Sequence, residues 1–395
     1  MEFHWSGFAA AAVLPRGRSS LLSLLASLIL VGCRFNSGSG AQGITYAGQP
    51  IAPLSASRID PALVTLPDGR VLVTGGKAND SSIRYAAAAT VEIYDPATEQ
   101  WSRAASMGVP RWGHSATLLT DGRVLVVGGF AENDTTPTAE LYDPATDSWR
   151  AAAAPANPYR FQTATLLSDG RVLVAGGSGP LTAMQFMPPS DGASDAAEIY
   201  DPATDRWTTV EKLPVARKEH VAAPLPDGRV LLLGGRMGGN KTDISGRNTQ
   251  RAPLSTTAIF DPATNRWEAG PDAPIEGGTT LAILPNGQFL LANRTALALY
   301  DSATRTWRDL GAGHGLIVGG VLPAGQVLFA ETDTSSRYRS PTGDLGLYDP
   351  ATGEYRPIGQ LRGVAWMGYA TAQLADGSVL FARHDGEVEL VAMQR

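Results

Sequence analysis

DGRVLVVGG, at residues 121–129, belongs to a nine-residue pattern that occurs seven times in the 395-residue chain. The other copies, with the weaker ones last, are DGRVLVTGG (68–76), DGRVLVAGG (169–177), DGRVLLLGG (227–235), NGQFLLANR (286–294), AGQVLFAET (324–332) and DGSVLFARH (376–384). The second-position glycines run from Gly69 to Gly377, so the pattern recurs about every 51 residues. A period of this length indicates a chain built from repeated structural units.

Each unit can be interpreted as four short β-strands. The stretch TATLLSDGRVLVAGG (163–177) contains two β-rich runs joined by Asp-Gly, the strongest short-range signal for a hairpin. A second motif follows in six units: YDPATEQW (94–101), YDPATDSW (142–149), YDPATDRW (200–207), FDPATNRW (260–267), YDSATRTW (300–307) and YDPATGEY (348–355). Asp201 and Pro202 suit the first two positions of a type I turn between a third and a fourth strand. Repeated four-stranded units predict an all-β propeller.

These motifs together resemble the kelch repeat. The resemblance rests on the glycine pair that closes the second strand, the Tyr-Asp-Pro of the third strand, and the tryptophan six residues after that aspartate. It covers residues 55–395 and implies a seven-bladed kelch-type β-propeller of four-stranded antiparallel blades. The aromatic residues that end the second motif are expected in the core between blades: Trp101, Trp149, Trp207, Trp267, Trp307 and Tyr355.

The way the ring closes follows from counting the motifs. Seven hairpins but only six Tyr-Asp-Pro motifs leave the last unit without an outermost strand. We expect the segment ITYAGQPIAPL (44–54) to supply this strand and so join the two ends of the ring, which also protects the sheet edge. A six-bladed ring with an irregular end is the alternative.

The first 43 residues do not look like part of this fold. Arg16 and Arg18 precede the apolar run SSLLSLLASLILVG, which is typical of a signal peptide and ends at Cys33. This junction resembles a bacterial lipobox, so we expect a lipoprotein signal peptide over 1–32, a flexible tether over 33–43 and the propeller over 44–395. Lipidation of Cys33 would anchor an exported protein to a bacterial envelope, at the outer membrane if the host is Gram-negative. An ordinary signal peptide and secretion are the alternative.

The composition limits the possible partners. The formal charge of −6 gives no global signature of nucleic-acid binding, and a membrane contact is expected only through the lipid. Cys33 is the single cysteine, so the chain can form no internal disulfide framework. We expect a monomer that binds an envelope protein or a glycan.

Aligning the units on the hairpin glycine predicts two rings of side chains at the channel mouth. Eleven residues before the glycine stand Arg58, Arg111, Tyr159, Arg217, Glu276, His314 and Trp366. Eight residues before it stand Pro61, His114, Gln162, His220, Thr279, Ile317 and Tyr369. The arginines and aromatic residues suit an anionic or sugar-like ligand, whereas hydrogen bonding between neighbouring blades is the structural alternative.

Two long connections offer a second candidate surface. The segment 178–194 is apolar, and the segment 236–256 carries Arg236 and Arg247 among four cations. Long loops on a rigid scaffold commonly hold binding specificity, so we include both arginines among the candidate ligand contacts.

No catalytic constellation or cofactor site emerges. Resemblance to the galactose-oxidase type of propeller would imply a copper site with a cysteine crosslinked to a tyrosine, which the position of Cys33 excludes. No histidine pair has helical metal-ligand spacing, and no G-x-S-x-G elbow occurs. We therefore expect neither a metal nor another cofactor.

Three functions remain open. The leading one is a non-catalytic, lipid-anchored envelope propeller that binds a protein or glycan through one loop face. The second is a carbohydrate-active enzyme of isomerase or lyase type, with Glu276 or His314 acting beside an arginine at the channel mouth. The third is a passive structural component of the envelope. Because propellers serve unrelated functions, the site has to decide between them.

Overall fold

The computed structural model describes eleven stretches of the chain: 46–78, 86–131, 138–178, 192–237, 253–277, 280–293, 296–312, 316–322, 324–332, 341–362 and 369–392. All regular secondary structure within these stretches is β-strand. The predicted leader (1–32) and tether (33–43) lie outside them. No helix long and apolar enough to cross a membrane occurs in the described part of the chain.

The first half of the chain forms the start of the ring and three complete blades. The N-terminal strands are β1 (Tyr46–Ala47), β2 (Gln49–Ile51) and β3 (Arg58–Ile59). Blade one contains β4 (Ala62–Thr65), β5 (Val71–Thr74), β7 (Val91–Asp95) and β8 (Gln100–Ala104), with the short β6 (Lys77–Ala78) paired to β3. Blade two contains β9 (Ser115–Leu118), β10 (Val124–Val127), β11 (Ala139–Asp143) and β12 (Ser148–Ala152). Blade three contains β13 (Thr163–Leu166), β14 (Val172–Ala175), β15 (Ala197–Asp201) and β16 (Arg206–Thr209).

The second half repeats this order. Blade four contains β17 (Val221–Pro224), β18 (Val230–Leu233), β19 (Thr257–Asp261) and β20 (Arg266–Ala269), and blade five contains β21 (Thr280–Ile283), β22 (Gln288–Ala292), β23 (Ala296–Asp301) and β24 (Thr306–Ala312). Blade six contains β25 (Leu316–Val321), β26 (Val327–Thr332), β27 (Pro341–Asp349) and β28 (Glu354–Gln360). Blade seven contains β29 (Tyr369–Gln373), β30 (Val379–Arg383) and β31 (Val388–Val391).

The predicted seven-bladed ring and its closure are confirmed. Strand β2 pairs antiparallel with β31 and becomes the fourth strand of blade seven, with Gln49 opposite Leu390. The innermost strand of blade one, β4, contacts both β9 of blade two and β29 of blade seven, so the ring is closed. One detail was not expected: β1 pairs in parallel with β28 and adds a fifth strand to blade six.

The core lies between the blades. The second strand of each blade is flanked by strands on both sides and covered on both faces, which is why residues 124–127 are fully buried apolar side chains. One core cluster, for example, joins Leu173 and Ile199 of blade three to Val230 and Phe260 of blade four. Each blade thus buries its faces only by stacking against its neighbours, as expected for a repeat architecture.

The repeated motif serves this stacking. At the hairpin, Gly122 adopts a left-handed φ of 86°, and its N–H donates to the Leu119 carbonyl oxygen over 3.1 Å. At the other end of the motif, a Cβ atom added to Gly75 would lie 2.3 Å from the carbonyl oxygen of Arg111 in the next blade. The glycine pair is therefore required where two blades approach closely.

The tryptophans of the second motif fasten one blade to the next. The indole N–H of Trp149 in blade two donates to the Ala105 carbonyl oxygen in the linker that leaves blade one, over 2.7 Å. Trp207 makes the same bond to Ala153, also over 2.7 Å. These side chains are half-buried at the interblade contact.

Candidate functional site

The channel mouth is the face at which the second strands end and the first strands begin. There the three arginines of the first predicted ring are buried. Arg111 donates from Nη1 to the Gly128 carbonyl oxygen over 2.7 Å and from Nη2 to Oε1 of Glu140 over 2.8 Å. Glu140 also accepts from the Gly108 and Val109 N–H groups over 2.8 and 2.9 Å. This network connects the segment that enters blade two to the second and third strands of that blade.

Blades one and four use variants of this network. Arg58 donates to Glu92 over 2.5 Å, whereas Arg217 donates to the Thr256 hydroxyl over 3.0 Å, and burial lowers the pKa of Arg217 to about 10. In blade three, Tyr159 stands in the arginine position and is buried.

The described contacts of Arg58, Arg111, Tyr159 and Arg217, which the sequence predicts as ligand contacts, are all with the scaffold. Their side chains are buried, and the three guanidinium groups donate to oxygen atoms of their own blade. Burying a guanidinium is costly unless its N–H groups find acceptors, and the scaffold supplies them. These contacts favour hydrogen bonding within the blades for the three arginines and core packing for Tyr159. Their role as ligand contacts stays a prediction.

Three of the remaining candidates, Glu276, Tyr369 and Arg236, lie among the described residues. Glu276 is exposed, and its backbone carbonyl oxygen accepts from Asn293 over 2.9 Å. Tyr369 begins β29 and pairs with Arg383 of β30. Arg236 lies at the mouth and is discussed below. His314, Trp366 and Arg247 lie outside the described residues, as do most of the loops 178–194 and 236–256.

The two histidines of the second predicted ring also belong to the scaffold. Nε2 of His114 lies 2.8 Å from the Thr74 hydroxyl of blade one, and Nε2 of His220 lies 3.0 Å from the Thr163 hydroxyl of blade three. Burial, reinforced by the neighbouring arginines, lowers the pKa of each imidazole to about 3. Both histidines are therefore neutral at physiological pH.

A different set of residues meets at the mouth, which we call the mouth cluster: Asp60, Lys77, Trp112, Phe130, Arg160, Phe161, Lys218, Glu219, Arg236 and Met237. They stand ten or nine residues before the hairpin glycine, or one or two residues after the glycine pair. Short antiparallel bridges bring these two places together, as between Trp112 and Phe130 or between Lys218 and Arg236. The alignment by hairpin glycines contains these positions, but they show no shared residue type that would have marked them.

One part of the mouth cluster is a stack that spans blades one to three. Trp112 and Phe130 stack with ring centroids 4.1 Å apart and an interplanar angle of 8°. Lys77 Nζ lies 5.1 Å from the Trp112 centroid, and the Arg160 guanidinium lies 4.3 Å from the Phe130 centroid. Phe161 contacts both rings edge-on. The protein's own cations thus lie over these aromatic rings.

The other part is charged and spans the channel. Asp60 in blade one and Glu219 in blade four interact electrostatically, although their blades are three apart in the ring. Glu219 also pairs with Nε of Arg236 over 2.7 Å. Burial raises the pKa of Asp60 to about 7, with Glu219 adding to the rise and Lys77 opposing it.

The backbone at these positions adopts an uncommon conformation. Asp60, Phe161 and Glu219 have left-handed φ angles of 52°, 52° and 54°. The Phe161 N–H donates to the Gly113 carbonyl oxygen over 3.1 Å, and the Glu219 N–H donates to the Phe161 carbonyl oxygen over 3.3 Å. These two hydrogen bonds link blades two, three and four.

The cluster offers charged hydrogen-bond donors and carboxyl groups at one end of the ring. Across the described ranges, no group of three or more His, Cys, Asp or Glu side chains is placed to hold a metal ion. Strongly perturbed carboxyl groups at a channel mouth are typical of functional sites.

Known proteins resemble this chain in sequence and in structure. The model of the KLHDC2/KLHL20/DRC7 Kelch-repeats domain matches residues 62–278, a little over half of the chain. Kelch-like protein terF of Aspergillus terreus is 26% identical over 279 residues, which cover 67% of this chain and 47% of terF. Kelch-like protein 36 of Mus musculus is 26% identical over 250 residues, which cover 61% of this chain and 37% of that protein. The matches thus span less than half the length of either relative.

Solved structures share the architecture. A fungal alcohol oxidase of the AA5 family, in complex with copper, superposes with a TM-score of 0.64 at 14% identity over 87% of this chain and 76% of its own. The structure of YjhT superposes with a TM-score of 0.53 at 19% identity over 73% of this chain and 96% of its own. Likenesses at these identities show the fold alone. The relatives named above come from a fungus and a mammal and lend no support to a bacterial lipoprotein. From the family match, the repeats and the seven blades together, the chain belongs to the kelch-repeat family.

Proposed function

We propose that this protein is a binding propeller that receives a partner protein on its mouth face. Kelch propellers typically bind proteins. We choose the mouth face because its residues differ from one blade to the next. The residue after the glycine pair is Lys77, Phe130, Ser178 and Arg236 in blades one to four, whereas the hairpin tips of the same blades all read Asp-Gly-Arg. Specificity requires chemistry that differs around the ring, and the mouth supplies it.

Accessible apolar and charged groups at the mouth support this choice. Met237 is 42% exposed and is the one large hydrophobic side chain that stands open to solvent within the described residues. It follows Arg236, whose side chain is 20% exposed. An apolar anchor beside a charged residue is a common composition for a protein interface.

Capture of a partner by crosslinking tests the proposal. The full-length protein is compared with Met237→Glu on the mouth and with the matched control Thr98→Glu, an exposed turn position on the opposite face. We expect Met237→Glu to reduce capture at least tenfold, because a charge would replace the apolar anchor, while Thr98→Glu captures normally. Equal capture by all three proteins, with equal melting temperatures, would rule out the mouth face.

Export and lipid anchoring form a second element of the proposal. We propose that Cys33 is acylated and holds the protein at a bacterial envelope, on the strength of the apolar run that ends at this residue. Labelling cells with radioactive palmitate tests this. Label in the wild-type protein and none in Cys33→Ala is the expected result, whereas equal label in both would remove the anchor from the proposal.

A glycan ligand and the carbohydrate-enzyme alternative receive no specific support from the described contacts. That enzyme would need Glu276, His314 and an arginine in one pocket. Glu276 is exposed, the ring arginines are buried in their own networks, and His314 lies outside the described residues. Binding of a protein is the function that the mouth supports best.

A further inference from the structure

Within the described residues, the junction between blades seven and one lacks a contact that the next four junctions share. At each of those four, the tryptophan of one blade donates its indole N–H to a carbonyl oxygen in the linker that leaves the preceding blade. The bonds run from Trp149 to Ala105, Trp207 to Ala153, Trp267 to Glu211 and Trp307 to Pro271, over 2.7, 2.7, 2.8 and 2.9 Å. Each acceptor stands four residues after the tryptophan of the preceding repeat.

A carboxylate reinforces this contact in blades two and three. Oδ1 of Asp147 accepts from the Tyr142 hydroxyl over 2.8 Å and from the Ala105 N–H over 2.8 Å. Asp205 accepts the same pair of bonds in blade three, over 2.7 and 3.0 Å. At these two junctions, therefore, the linker is held at both its N–H and its carbonyl oxygen by the blade that follows.

Blade one lacks the tryptophan bond and the tyrosine bond. Nε1 of Trp101 and Oη of Tyr94 are buried, and neither has a hydrogen-bond partner in the described part of the chain. Glu99 stands where blades two and three have an aspartate, and its side chain is exposed. Ala52, in the linker that follows β2, stands in the position that Ala105 occupies at the next junction. Buried donors without an acceptor cost free energy, so this junction is held less firmly.

The segment 46–54, which we call the clasp, closes this junction from the side of blades six and seven. Its strands β1 and β2 pair with β28 and β31 over two and three residues. Pro50, in the middle of β2, has no N–H to donate. The Leu54 N–H donates to the Gly386 carbonyl oxygen over 2.8 Å. At the next junction the equivalent strand, β8, pairs with β7 over five residues, so the clasp has the shorter ladder.

Blade one holds the chain directly after the clasp. The Ser55 N–H donates to Oε2 of Glu92 over 2.9 Å, and the buried Arg58 donates to the Thr90 carbonyl oxygen over 2.7 Å. Ala56, between these two contacts, is exposed. Because both bonds lie within blade one, the chain at 55–58 can stay in place when the clasp moves.

We propose that the clasp is a conformational device, which leaves blades six and seven as one unit and reversibly opens the ring between blades seven and one. Release breaks no tryptophan bond, whereas opening between blades one and two breaks the bonds of Trp149 and Asp147 to Ala105. The open state leaves blade seven with three strands and uncovers the outer edge of β31. Segments with few bonds to their surroundings open at the lowest free energy, so the clasp opens before the equivalent segment 99–107.

Hydrogen exchange followed by mass spectrometry on the full-length protein tests the inference. We expect the amides of 49–54 to exchange about tenfold faster than those of the equivalent segment 102–107. They should do so at one common rate, because the clasp moves as a unit. Equal rates in the two segments would overturn the proposal, and so would a gradient of rates from residue 46 to residue 54, which indicates fraying of a chain end.

Exchanging one residue between the two junctions gives matched variants. Glu99→Asp supplies blade one with the carboxylate that blades two and three use, so we expect the exchange of 49–54 to slow about fivefold while that of 102–107 stays unchanged. Asp147→Glu makes the reverse change and should accelerate the exchange of 102–107 about fivefold. An unchanged rate at 49–54 in Glu99→Asp would show that the missing bonds do not control the opening, and the proposal would fail.

A second pair of variants keeps the inference testable if Glu99→Asp fails to fold. Trp101→Phe and Trp149→Phe remove the same part of a ring, but only Trp149 loses a hydrogen bond. We expect Trp149→Phe to accelerate the exchange of 102–107 about threefold more than Trp101→Phe accelerates that of 49–54. Equal acceleration at the two junctions would contradict the proposal. No partner is needed for these measurements, so their outcome is independent of the proposed binding function.

Discussion

The two ends of the ring are built on different rules. At the hairpin tips, blades one to four repeat Asp-Gly-Arg, and each arginine pairs with the aspartate two residues before it at the surface. At the mouth, the same four blades present different residues, and blades one and two each bury an ion pair, Arg58–Glu92 and Arg111–Glu140. The tips have the same sequence because every blade can form its hairpin with the same residues. The residues at the mouth differ from blade to blade, which is what the proposed binding function requires.

Burial separates the energetics of the two ends. The side chains of Arg123 and Asp121 at a tip are 26% and 45% exposed, whereas those of Arg111 and Glu140 at the mouth are 1% and 6% exposed. Solvent screens the first pair and leaves it with a small net stability. The second pair is desolvated, so removal of one partner leaves a buried charge without compensation.

The largest expected effect follows from that difference. Glu140→Ala removes the acceptor of Arg111 and of the Gly108 and Val109 N–H groups, and we expect it to lower the free energy of unfolding by about 3–5 kcal/mol. Urea unfolding monitored by tryptophan fluorescence measures this loss. A loss below about 1 kcal/mol would mean that the buried Arg111–Glu140 pair contributes no more to stability than an exposed ion pair such as Arg123–Asp121.

The pH dependence of stability should come mainly from the buried histidines. His114 and His220 have folded pKa values of about 3, below the ordinary value of 6.5, so the unfolded chain binds protons first. Their contribution is complete above pH 6.5 and is lost as the pH falls towards 3, which we expect to cost on the order of a few kcal/mol by pH 4. Unfolding between pH 7 and pH 4 measures the slope. The double variant His114→Asn, His220→Asn should flatten it, and an unchanged slope would contradict the assignment.

Asp60 acts in the opposite direction. Its folded pKa of about 7 exceeds the ordinary value of 3.8, so the folded state holds the proton over this window. Its effect is to reduce stability as the pH rises from 3.8 to 7. Asp60→Asn should therefore raise the melting temperature at pH 8 and leave it nearly unchanged at pH 4. A change in melting temperature at pH 4 and none at pH 8 would contradict the raised pKa of Asp60.

Two glycines of the first repeat allow a direct comparison between the hairpin tip and the mouth. Gly69 at the tip and Gly75 at the mouth both have positive φ, but nothing lies within 4 Å of a Cβ added to Gly69. We expect Gly69→Ala to cost about 1 kcal/mol from backbone strain alone. Gly75→Ala should cost at least about twice as much, because the new methyl group meets the Arg111 carbonyl oxygen. Thermal unfolding of both variants tests this, and equal losses would show that the blades can separate to make room.

The smallest effect is expected at the tip pair. Arg123→Ala should change the free energy of unfolding by less than about 1 kcal/mol, because the ion pair with Asp121 is exposed. Urea unfolding beside Glu140→Ala completes the comparison. A loss as large as that of the buried pair would remove the distinction between the two ends.

Local sequence signals were sufficient for most of the fold. Asp-Gly at 121–122 predicts a hairpin from backbone chemistry alone, and the missing seventh Tyr-Asp-Pro motif predicts the closing strand that β2 provides. The parallel pairing of β1 with β28 had no such signal, because a two-residue strand carries no periodicity.

The site was predicted less well. Alignment placed Arg58, Arg111 and Arg217 at the mouth, but burial and the acceptors around them belong to the folded blade and cannot be inferred from spacing. The alignment of the units gives no signal at the neighbouring positions, such as Asp60 and Glu219, because their side chains share no residue type. The left-handed backbone of Asp60 and Glu219 also has no signal in the sequence, because neither residue is a glycine.

By itself, then, the sequence determined the repeat, the blade and the closure of the ring, since hairpins and turns depend on residues that are close along the chain. Only the tertiary structure decided which side chains meet at the mouth. Asp60 and Glu219 come from blades one and four and are brought together by the closed ring, not by any local preference. Their position beside the cations of the mouth cluster sets the local charge at this face.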